Sequence, residues 1–373
     1  MINVDTVSAL LSQKGHVYDS FSQEQGQSGF VIFTHLKENE NLKYAIKVFD
    51  IDDGSKIRVS ESKIQECQNE AFAMKKLNHK NVVEYHSDYQ IQLFYFIQMK
   101  KCESSLYIWS KQNEEVIPNE QFYSIAKQIL DGLKFIHDQG WILRDLKPQN
   151  ILINYTDSKI KIRLCDFGAA TCYPKLDDVK STAFYGSLLF TPPEVIFSLL
   201  QGKENVKQTQ QGDIWAFGIC LSVIGKAQLN QMDYNNNNWQ VPTSPLLTPE
   251  AQIFVNYILE QDPQLRPKIE QIRSKLDSLF SQCQNNTQLQ LNASSGSFSR
   301  ISQPFCQGIF DKPFIQYSFK EIATPLNQYF NNCIQEDMKF QINEENFGSF
   351  SDNIWELKML PWLCFYGQAF VQL

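Results

Sequence analysis

Three oxygen-bearing side chains and one lysine lie close together near the middle of the sequence. Asp145, Lys147 and Asn150 fall within the stretch WILRDLKPQN, and Asp166 follows in a DFG triplet 21 positions after Asp145. Carboxylate and carboxamide oxygens suit a hard cation such as Mg²⁺, so Asn150 and Asp166 are the predicted metal ligands. Lys147 can balance phosphate charge, and Asp145 can accept a proton from a hydroxyl. Phosphoryl transfer needs these groups, because it depends mainly on positioning and charge neutralisation.

The elements around these residues follow from the hydrophobic pattern. Residues 119–138 predict an amphipathic helix that Gly140 closes, and residues 151–153 and 160–164 predict two short strands. One face of this helix carries apolar residues at alternating spacings of three and four: Phe122, Ile125, Ala126, Ile129, Leu133 and Ile136. The loop that carries Asp145, Lys147 and Asn150 therefore joins a helix to a hairpin, and Asp166 comes directly after the hairpin.

Over the whole chain, predicted strands come before most of the predicted helices. Strand-like segments occupy most of residues 17–56, residues 60–77 predict a helix, and residues 93–99 predict another strand. Residues 213–225 are apolar nearly all round, which predicts a buried central helix. This order indicates an α+β protein of two lobes that separate near residues 100–105.

Composition excludes some classes of function. The 373 residues carry a formal net charge of −7 without a long basic run, which argues against nucleic-acid binding. Nine cysteines without paired metal spacing predict reduced thiols and an intracellular, cytoplasmic location. The N-terminus does not resemble a secretory signal, and no apolar stretch is long enough to predict a membrane span.

The RDLKPQN and DFG motifs resemble those of the protein kinase superfamily, whose catalytic loop, DFG and Ala-Pro-Glu motifs occur in this order. The resemblance covers roughly residues 14–280 and implies ATP and Mg²⁺ as cofactors and proteins as substrates. It also implies the kinase-like fold, in which a small antiparallel sheet with one main helix forms the first lobe and helices dominate the second. Lys147, with Ser187 where the family usually has Thr, indicates serine/threonine specificity.

The resemblance assigns further residues. Lys47 in YAIK would contact the ATP phosphates and pair with Glu70, an arrangement that keeps the lysine charged and fixed. The positions implied to bind nucleotide are Gly26, Gly29, Val31, Ala45, Lys47, Glu70, Met99, Lys101 and Cys102. Glu194 in TPPE is expected to pair with Arg266, and Asp213 to brace the catalytic loop. These three residues are structural rather than catalytic.

The segment between DFG and TPPE is predicted to be regulatory. Its candidate residues are Ser181, Thr182 and Ser187. Arg144 precedes the catalytic aspartate, and kinases with this arginine often use it to hold a loop phosphate. We therefore expect phosphorylation of Ser181 or Thr182 to activate the protein.

Three departures from the family pattern leave alternatives open. Glu24 replaces the first glycine of the glycine-rich loop, Leu143 replaces the usual histidine before Arg144, and Lys100 replaces the usual glutamate of the hinge. A pseudokinase that binds nucleotide or acts as a scaffold is therefore an alternative, and a small-molecule kinase is another. The segment LFYFIQMKKCESSLYIW also resembles, weakly, the kinases that phosphorylate translation initiation factor 2.

The sequence predicts four regions. Residues 1–13 are an N-terminal extension, and residues 14–280 are the kinase domain, with lobes at about 14–101 and 102–280. Residues 281–303 are polar and predict a linker, and residues 304–373 form an aromatic-rich tail. The oligomeric state, the physiological substrate and the role of the tail are left open.

Overall fold

The structure, a computed structural model, describes residues 4–21, 29–54, 58–157, 159–173, 182–229 and 241–294. The chain separates into two units, Met1–Gln288 and Leu289–Leu373. The elements described below belong to the first unit, except for the C-terminal end of the last helix. The tail at 304–373 lies outside the described residues.

A five-stranded antiparallel sheet and one long helix form the N-terminal half of the first unit. Its strands, in the spatial order β1-β2-β3-β5-β4, are β1 (His16–Phe21), β2 (Phe30–Leu36), β3 (Asn39–Asp50), β4 (Tyr85–Ile91) and β5 (Phe94–Lys100). Helix α2 (Glu61–Lys76) follows β3. Ser60 caps this helix, because its hydroxyl accepts a hydrogen bond from the backbone N–H of Lys63 at 3.5 Å.

A short helix, α1 (Val4–Ser12), covers one face of this sheet. Its buried residues Val7, Leu10 and Leu11 form a core cluster with Phe30, Ile32, Ile46, Val48 and Phe96 of the strands. Side chains alternate between the two faces of a strand, so Lys47 projects from the other face of β3. The segment predicted only as an extension at 1–13 thus contains a helix that completes the core of the sheet.

Helices dominate the second half of this unit. They are α3 (Leu106–Gln112), α4 (Asn119–Asp138), α5 (Pro193–Leu200), α6 (Gln210–Ile224), α7 (Pro249–Ile258) and α8 (Ile269–Ser294). Seven short strands lie among them: β6 (Ser104–Ser105), β7 (Trp141–Ile142), β8 (Ile151–Thr156), β9 (Lys159–Leu164), β10 (Thr171–Cys172), β11 (Thr182–Ala183) and β12 (Asn205–Val206). Helix α6 is buried on nearly all sides, as its composition predicts. A sheet-rich part followed by a helical part confirms the predicted two-lobed α+β fold.

The C-terminal helix extends further than the sequence suggests. Helix α8 continues to Ser294, so the first half of the segment predicted as a polar linker at 281–303 is helical. Among the helices within the described ranges, none is long and apolar enough to cross a membrane.

Candidate active site

Lys47 bonds two carboxylates, one on helix α2 and one on the segment that follows β9. Its Nζ donates hydrogen bonds to Glu70 Oε1 and Oε2 at 2.8 and 3.0 Å, and to Asp166 Oδ1 at 2.9 Å. Glu70 reaches it from α2, while Asp166 lies just beyond β9, 119 positions away from Lys47 in sequence. The ion pair expected between Lys47 and Glu70 is therefore formed, and the DFG aspartate shares the same ammonium group.

These contacts shift the pKa values of Lys47 and Asp166. Burial alone lowers the pKa of Lys47, but the carboxylates of Glu70 and Asp166 outweigh it and raise the net pKa above its usual value. For Asp166, burial raises the pKa, but Lys47, with a smaller contribution from Lys147, lowers it below 3.8 overall. At neutral pH, therefore, a charged ammonium group faces a charged carboxylate at 2.9 Å.

Both carboxylate oxygens of Asp145 accept hydrogen bonds, one from the same loop and one from the segment that carries Ser187. Lys147 Nζ donates to Asp145 Oδ2 at 2.7 Å, and the Ser187 hydroxyl donates to Oδ1 at 2.9 Å. Lys147 also donates to Ser187 Oγ at 3.1 Å, which closes a three-membered network. Asn150 Nδ2 donates to the backbone carbonyl of Asp145 at 3.0 Å. The predicted catalytic residues Asp145, Lys147 and Asn150 thus come together, and Ser187 joins them.

A buried carboxylate on α6 braces this loop from behind. Asp213 accepts hydrogen bonds from the backbone N–H groups of Leu143 and Arg144, both at 2.9 Å, and contacts His137 Nε2 at 2.8 Å. Arg144 and Asp166 have φ values of +67° and +64°, in the left-handed region that side chains other than glycine rarely adopt. Such backbone strain needs support, and the bonds to Asp213 provide it at Arg144.

Four of the predicted nucleotide-binding residues, Val31, Ala45, Lys47 and Met99, lie on neighbouring strands. Val31 on β2 pairs with Lys47 on β3, and Ala45 pairs with Met99 on β5. Ala45 and Met99 are buried, and the ammonium group of Lys101 lies 4.8 Å from the centre of the Phe33 ring. Cys102 Sγ accepts a hydrogen bond from Asn154 Nδ2 at 3.3 Å. Burial raises the pKa of Cys102, so it remains a neutral thiol.

One glycine of the glycine-rich loop is described, and the other lies outside the described residues. Gly29 has a φ of +142°, and a Cβ atom there would lie 2.3 Å from the backbone carbonyl oxygen of Val48. Only glycine fits this close approach between β2 and β3. Gly26, like the activation-segment candidate Ser181, falls outside the described residues.

The chemistry of Asn150 and Asp166 fits a magnesium ion. Asn150 uses only its Nδ2 in its bonds to Asp145, and Asp166 uses Oδ1 in its bond to Lys47. Within the described part of the chain, no hydrogen bond occupies the carboxamide oxygen of Asn150 or Oδ2 of Asp166. Two hard oxygen donors therefore remain for a cation that keeps several of its waters.

Glu194 and Arg266 anchor the end of the segment that follows DFG. The guanidinium group donates to Glu194 Oε1 and Oε2, each at 2.9 Å, in the bidentate geometry typical of strong pairs. The Arg266 side chain is fully buried. The expected structural pair is therefore present.

Arg144 points into the activation segment. Its Nη1 donates to the Thr182 hydroxyl at 3.2 Å, its Nε donates to the Ala169 carbonyl at 2.5 Å, and its guanidinium lies 4.6 Å from the centre of the Tyr185 ring. The arginine predicted to hold a loop phosphate therefore already contacts one of the two predicted phosphorylation sites.

Sequence reasoning missed Gln208, which lies between β12 and α6. Its side-chain amide bonds both backbone polar groups of Tyr185, in the segment that carries Ser187. No local motif marks such a residue, because its partner is 23 positions away.

Comparison with known proteins agrees with these features. A family model described as protein kinase domain matches residues 24–276. The probable serine/threonine-protein kinase fhkA of Dictyostelium discoideum is 35% identical over 188 residues, which cover 49% of this chain and 30% of that protein. The meiosis-specific serine/threonine-protein kinase mek1 of Schizosaccharomyces pombe is 28% identical over 268 residues, or 67% of this chain and 56% of that protein.

A third relative has a length closer to the matched region. Testis-specific serine/threonine-protein kinase 3 of Mus musculus is 28% identical over 250 residues, which cover 64% of this chain and 87% of that protein. The chain thus spans less than two thirds of the first two relatives and most of the third.

Proposed function

The chain belongs to the protein kinase domain family, and we propose that it is a serine/threonine protein kinase that transfers the γ-phosphoryl group of Mg-ATP to protein hydroxyls. One observation carries this proposal. Lys47, Asp145, Asn150 and Asp166 are all present, and Lys47 contacts Asp166 while Asn150 contacts Asp145. A protein that only bound nucleotide would need neither Asp145 nor the lysine beside it.

Each group has a part in the proposed reaction. Lys47, held by Glu70, would bind phosphate oxygens, and Asp145 would orient the acceptor hydroxyl and accept its proton. Lys147 would neutralise charge on the transferred group from its position 2.7 Å from Asp145. Asn150 and Asp166 would hold Mg²⁺, which, when bound, neutralises the phosphate charge that develops during transfer.

Ser187 stands where the family usually has Thr, and this resemblance supports hydroxyl substrates of the serine/threonine type. Its hydroxyl donates to Asp145 and accepts from Lys147, so the activation segment is joined directly to the proposed base and to the phosphate-binding lysine. The names of the three relatives support the same substrate class.

The departure at Leu143 does not favour the pseudokinase alternative. Leu143 is 5% exposed, and its backbone N–H bonds Asp213. The leucine therefore fills the core position while the loop keeps its brace, which leaves Asp145 in place.

Phosphorylation of Thr182 is the proposed activating step. A phosphate on Thr182 would lie beside the guanidinium of Arg144, where charge-assisted hydrogen bonds would strengthen the present 3.2 Å contact. We expect Ser181→Ala with Thr182→Ala to lower activity, and full activity in this double variant would refute the role.

An intracellular, cytoplasmic location is also proposed. The cysteines in the described ranges, Cys67, Cys102, Cys165, Cys172, Cys220 and Cys283, are free thiols. Reduced thiols are typical of the cytosol.

Identification of the modified residue tests the substrate class. The chain is incubated with Mg-ATP and a mixture of generic protein substrates, and phosphorylated positions are mapped by mass spectrometry. We expect phosphoserine and phosphothreonine. Phosphotyrosine alone would refute the serine/threonine assignment, and phosphorylation of small molecules without any phosphoprotein would refute the protein substrate.

A further inference from the structure

We infer that Gln208 is a positioning residue for phosphoryl transfer, which holds Tyr185 so that Ser187 remains bonded to Asp145 and Lys147. The inference rests on the proposed function, because it assigns a role within the same site. Gln208 itself is not expected to touch ATP or the acceptor.

The contact between Gln208 and Tyr185 has two points. Gln208 Nε2 donates to the Tyr185 carbonyl at 2.6 Å, and Gln208 Oε1 accepts from the Tyr185 backbone N–H at 3.2 Å. Only 8% of Gln208 is exposed, so water competes little for these bonds. A two-point contact fixes both the position and the orientation of the Tyr185 backbone, as a neighbouring strand would.

The backbone between Tyr185 and Ser187 is pressed against the catalytic loop. Gly186 has a φ of +120°, and a Cβ atom there would lie 2.3 Å from the Arg144 carbonyl oxygen. Because the backbone at Gly186 lies this close to the loop, we expect a displacement of Tyr185 to move Ser187 as well. Ser187 is the residue whose hydroxyl bonds Asp145 at 2.9 Å.

The segment on which Gln208 lies also supports the rest of this region. Thr182 pairs with Val206 and Ala183 pairs with Asn205, so β12 forms a two-stranded sheet with β11. Gln208 extends this pairing two residues beyond Val206 through its side chain. The activation segment is thus bonded to the chain just before α6 through Thr182, Ala183 and Tyr185.

Two substitutions at Gln208 test the inference. Gln208→Glu keeps the size of the side chain but removes the N–H donor to the Tyr185 carbonyl, and Gln208→Met removes both bonds without adding charge. The control is Gln252→Glu, since the amide of Gln252 also bonds one backbone N–H and one backbone carbonyl, which belong to two different residues outside the site. Its Oε1 accepts from Ser244 N at 2.9 Å and its Nε2 donates to the Pro242 carbonyl at 3.4 Å.

Kinetics with a peptide substrate give the first result. We expect kcat/KM for the peptide to fall about tenfold in either Gln208 variant, because Gln208→Glu loses one bond of the buried contact and Gln208→Met loses both, and KM for ATP to stay within about twofold. Gln252→Glu is expected to keep both constants within about twofold. An equal loss in the control, or unchanged constants in both Gln208 variants, would overturn the inference.

A double-mutant cycle distinguishes positioning from a purely structural role. If Gln208 acts through Ser187, then Ser187→Ala lowers kcat/KM strongly in the wild type and only slightly in Gln208→Met. Additive effects would show that the glutamine acts independently of the serine, and would refute the proposed route.

Hydrogen exchange measures the contact without relying on activity. The Tyr185 amide is expected to exchange faster in Gln208→Met, which removes the oxygen that accepts its hydrogen bond, than in the wild type and in Gln252→Glu. Equal exchange rates would refute the positioning role even in an active enzyme. An inactive wild type in which this difference in exchange persists would refute the proposed function and leave the Gln208 contact established.

Discussion

Replacement of Arg266 by methionine should be among the most damaging single changes in the helical half. The guanidinium group of Arg266 uses all five of its N–H donors. Two bond the carboxylate of Glu194 at 2.9 Å each, and the others bond the carbonyls of Gln211, Glu260 and Gln261 at 2.8, 2.8 and 3.1 Å. The side chain is fully buried and lies over the Trp215 ring.

The expected loss in the free energy of unfolding follows from these contacts. Methionine fills much of the space but leaves the carboxylate of Glu194, 26% exposed, without its cation and three carbonyl groups without donors. Removal of one partner of a buried ion pair costs about 3–5 kcal/mol. We therefore expect Arg266→Met to lower the free energy of unfolding by about that amount, and Arg266→Lys to recover part of it, because lysine keeps the charge but has three donors instead of five.

Urea unfolding measures the loss, with Arg273→Met as the matched control. The Arg273 side chain is 36% exposed and pairs with Asp131 near the surface, so its loss should cost less than about 1 kcal/mol. A loss below about 1 kcal/mol for Arg266→Met, or equal losses at the two arginines, would refute the view that this buried pair anchors the end of the activation segment.

Two further predictions concern the sheet and the DFG aspartate. Leu11→Ala should lower the free energy of unfolding in urea by about 2–5 kcal/mol, because Leu11 is 1% exposed in the core that α1 forms with the sheet. The control Thr6→Ala, at an exposed position of the same helix, should change it by less than about 0.5 kcal/mol. Equal effects of the two substitutions would contradict the packing of α1. Because Lys47 lowers the folded-state pKa of Asp166, its stabilising contribution is present above the ordinary pKa of 3.8 and is lost as the pH falls through the lowered value. Unfolding followed from roughly pH 6 to pH 3 should therefore show a smaller loss of stability in Asp166→Asn than in the wild type, and identical pH profiles would refute the ion pair.

Most of the candidate site can be predicted from the sequence, because its residues lie at fixed spacings in short motifs. Asp145, Lys147 and Asn150 share one loop, so their spacing alone predicts that these three side chains lie close together. The long-range pairs, such as Lys47 with Glu70, depend on the resemblance, since spacing alone does not determine which helix approaches which strand. The structure brings these pairs together, while their roles in binding ATP and Mg²⁺ stay predictions.

The parts that sequence reasoning missed have different physical causes. The apolar stripe of Val4, Val7, Leu10 and Leu11 carried a helical signal in the predicted extension, but what α1 covers depends on the tertiary fold. The helical continuation to Ser294 runs through polar residues, where composition gives a linker and a solvated helix the same appearance. No local sequence pattern marks Gln208, because its side-chain amide bonds the backbone of Tyr185, which lies 23 positions away.

Phosphoryl transfer by Asp145→Asn compared with the wild type tests the central claim most directly. The asparagine keeps the size of the side chain and can still bond Lys147 poorly, but it cannot accept the proton of the acceptor hydroxyl. The account predicts that the wild type transfers the γ-phosphoryl group of Mg-ATP to serine or threonine, and that Asp145→Asn does so at least about 100-fold more slowly. Thermal stabilisation by ATP should be similar in both proteins. No transfer by the wild type, or equal transfer by the variant, would contradict the claim.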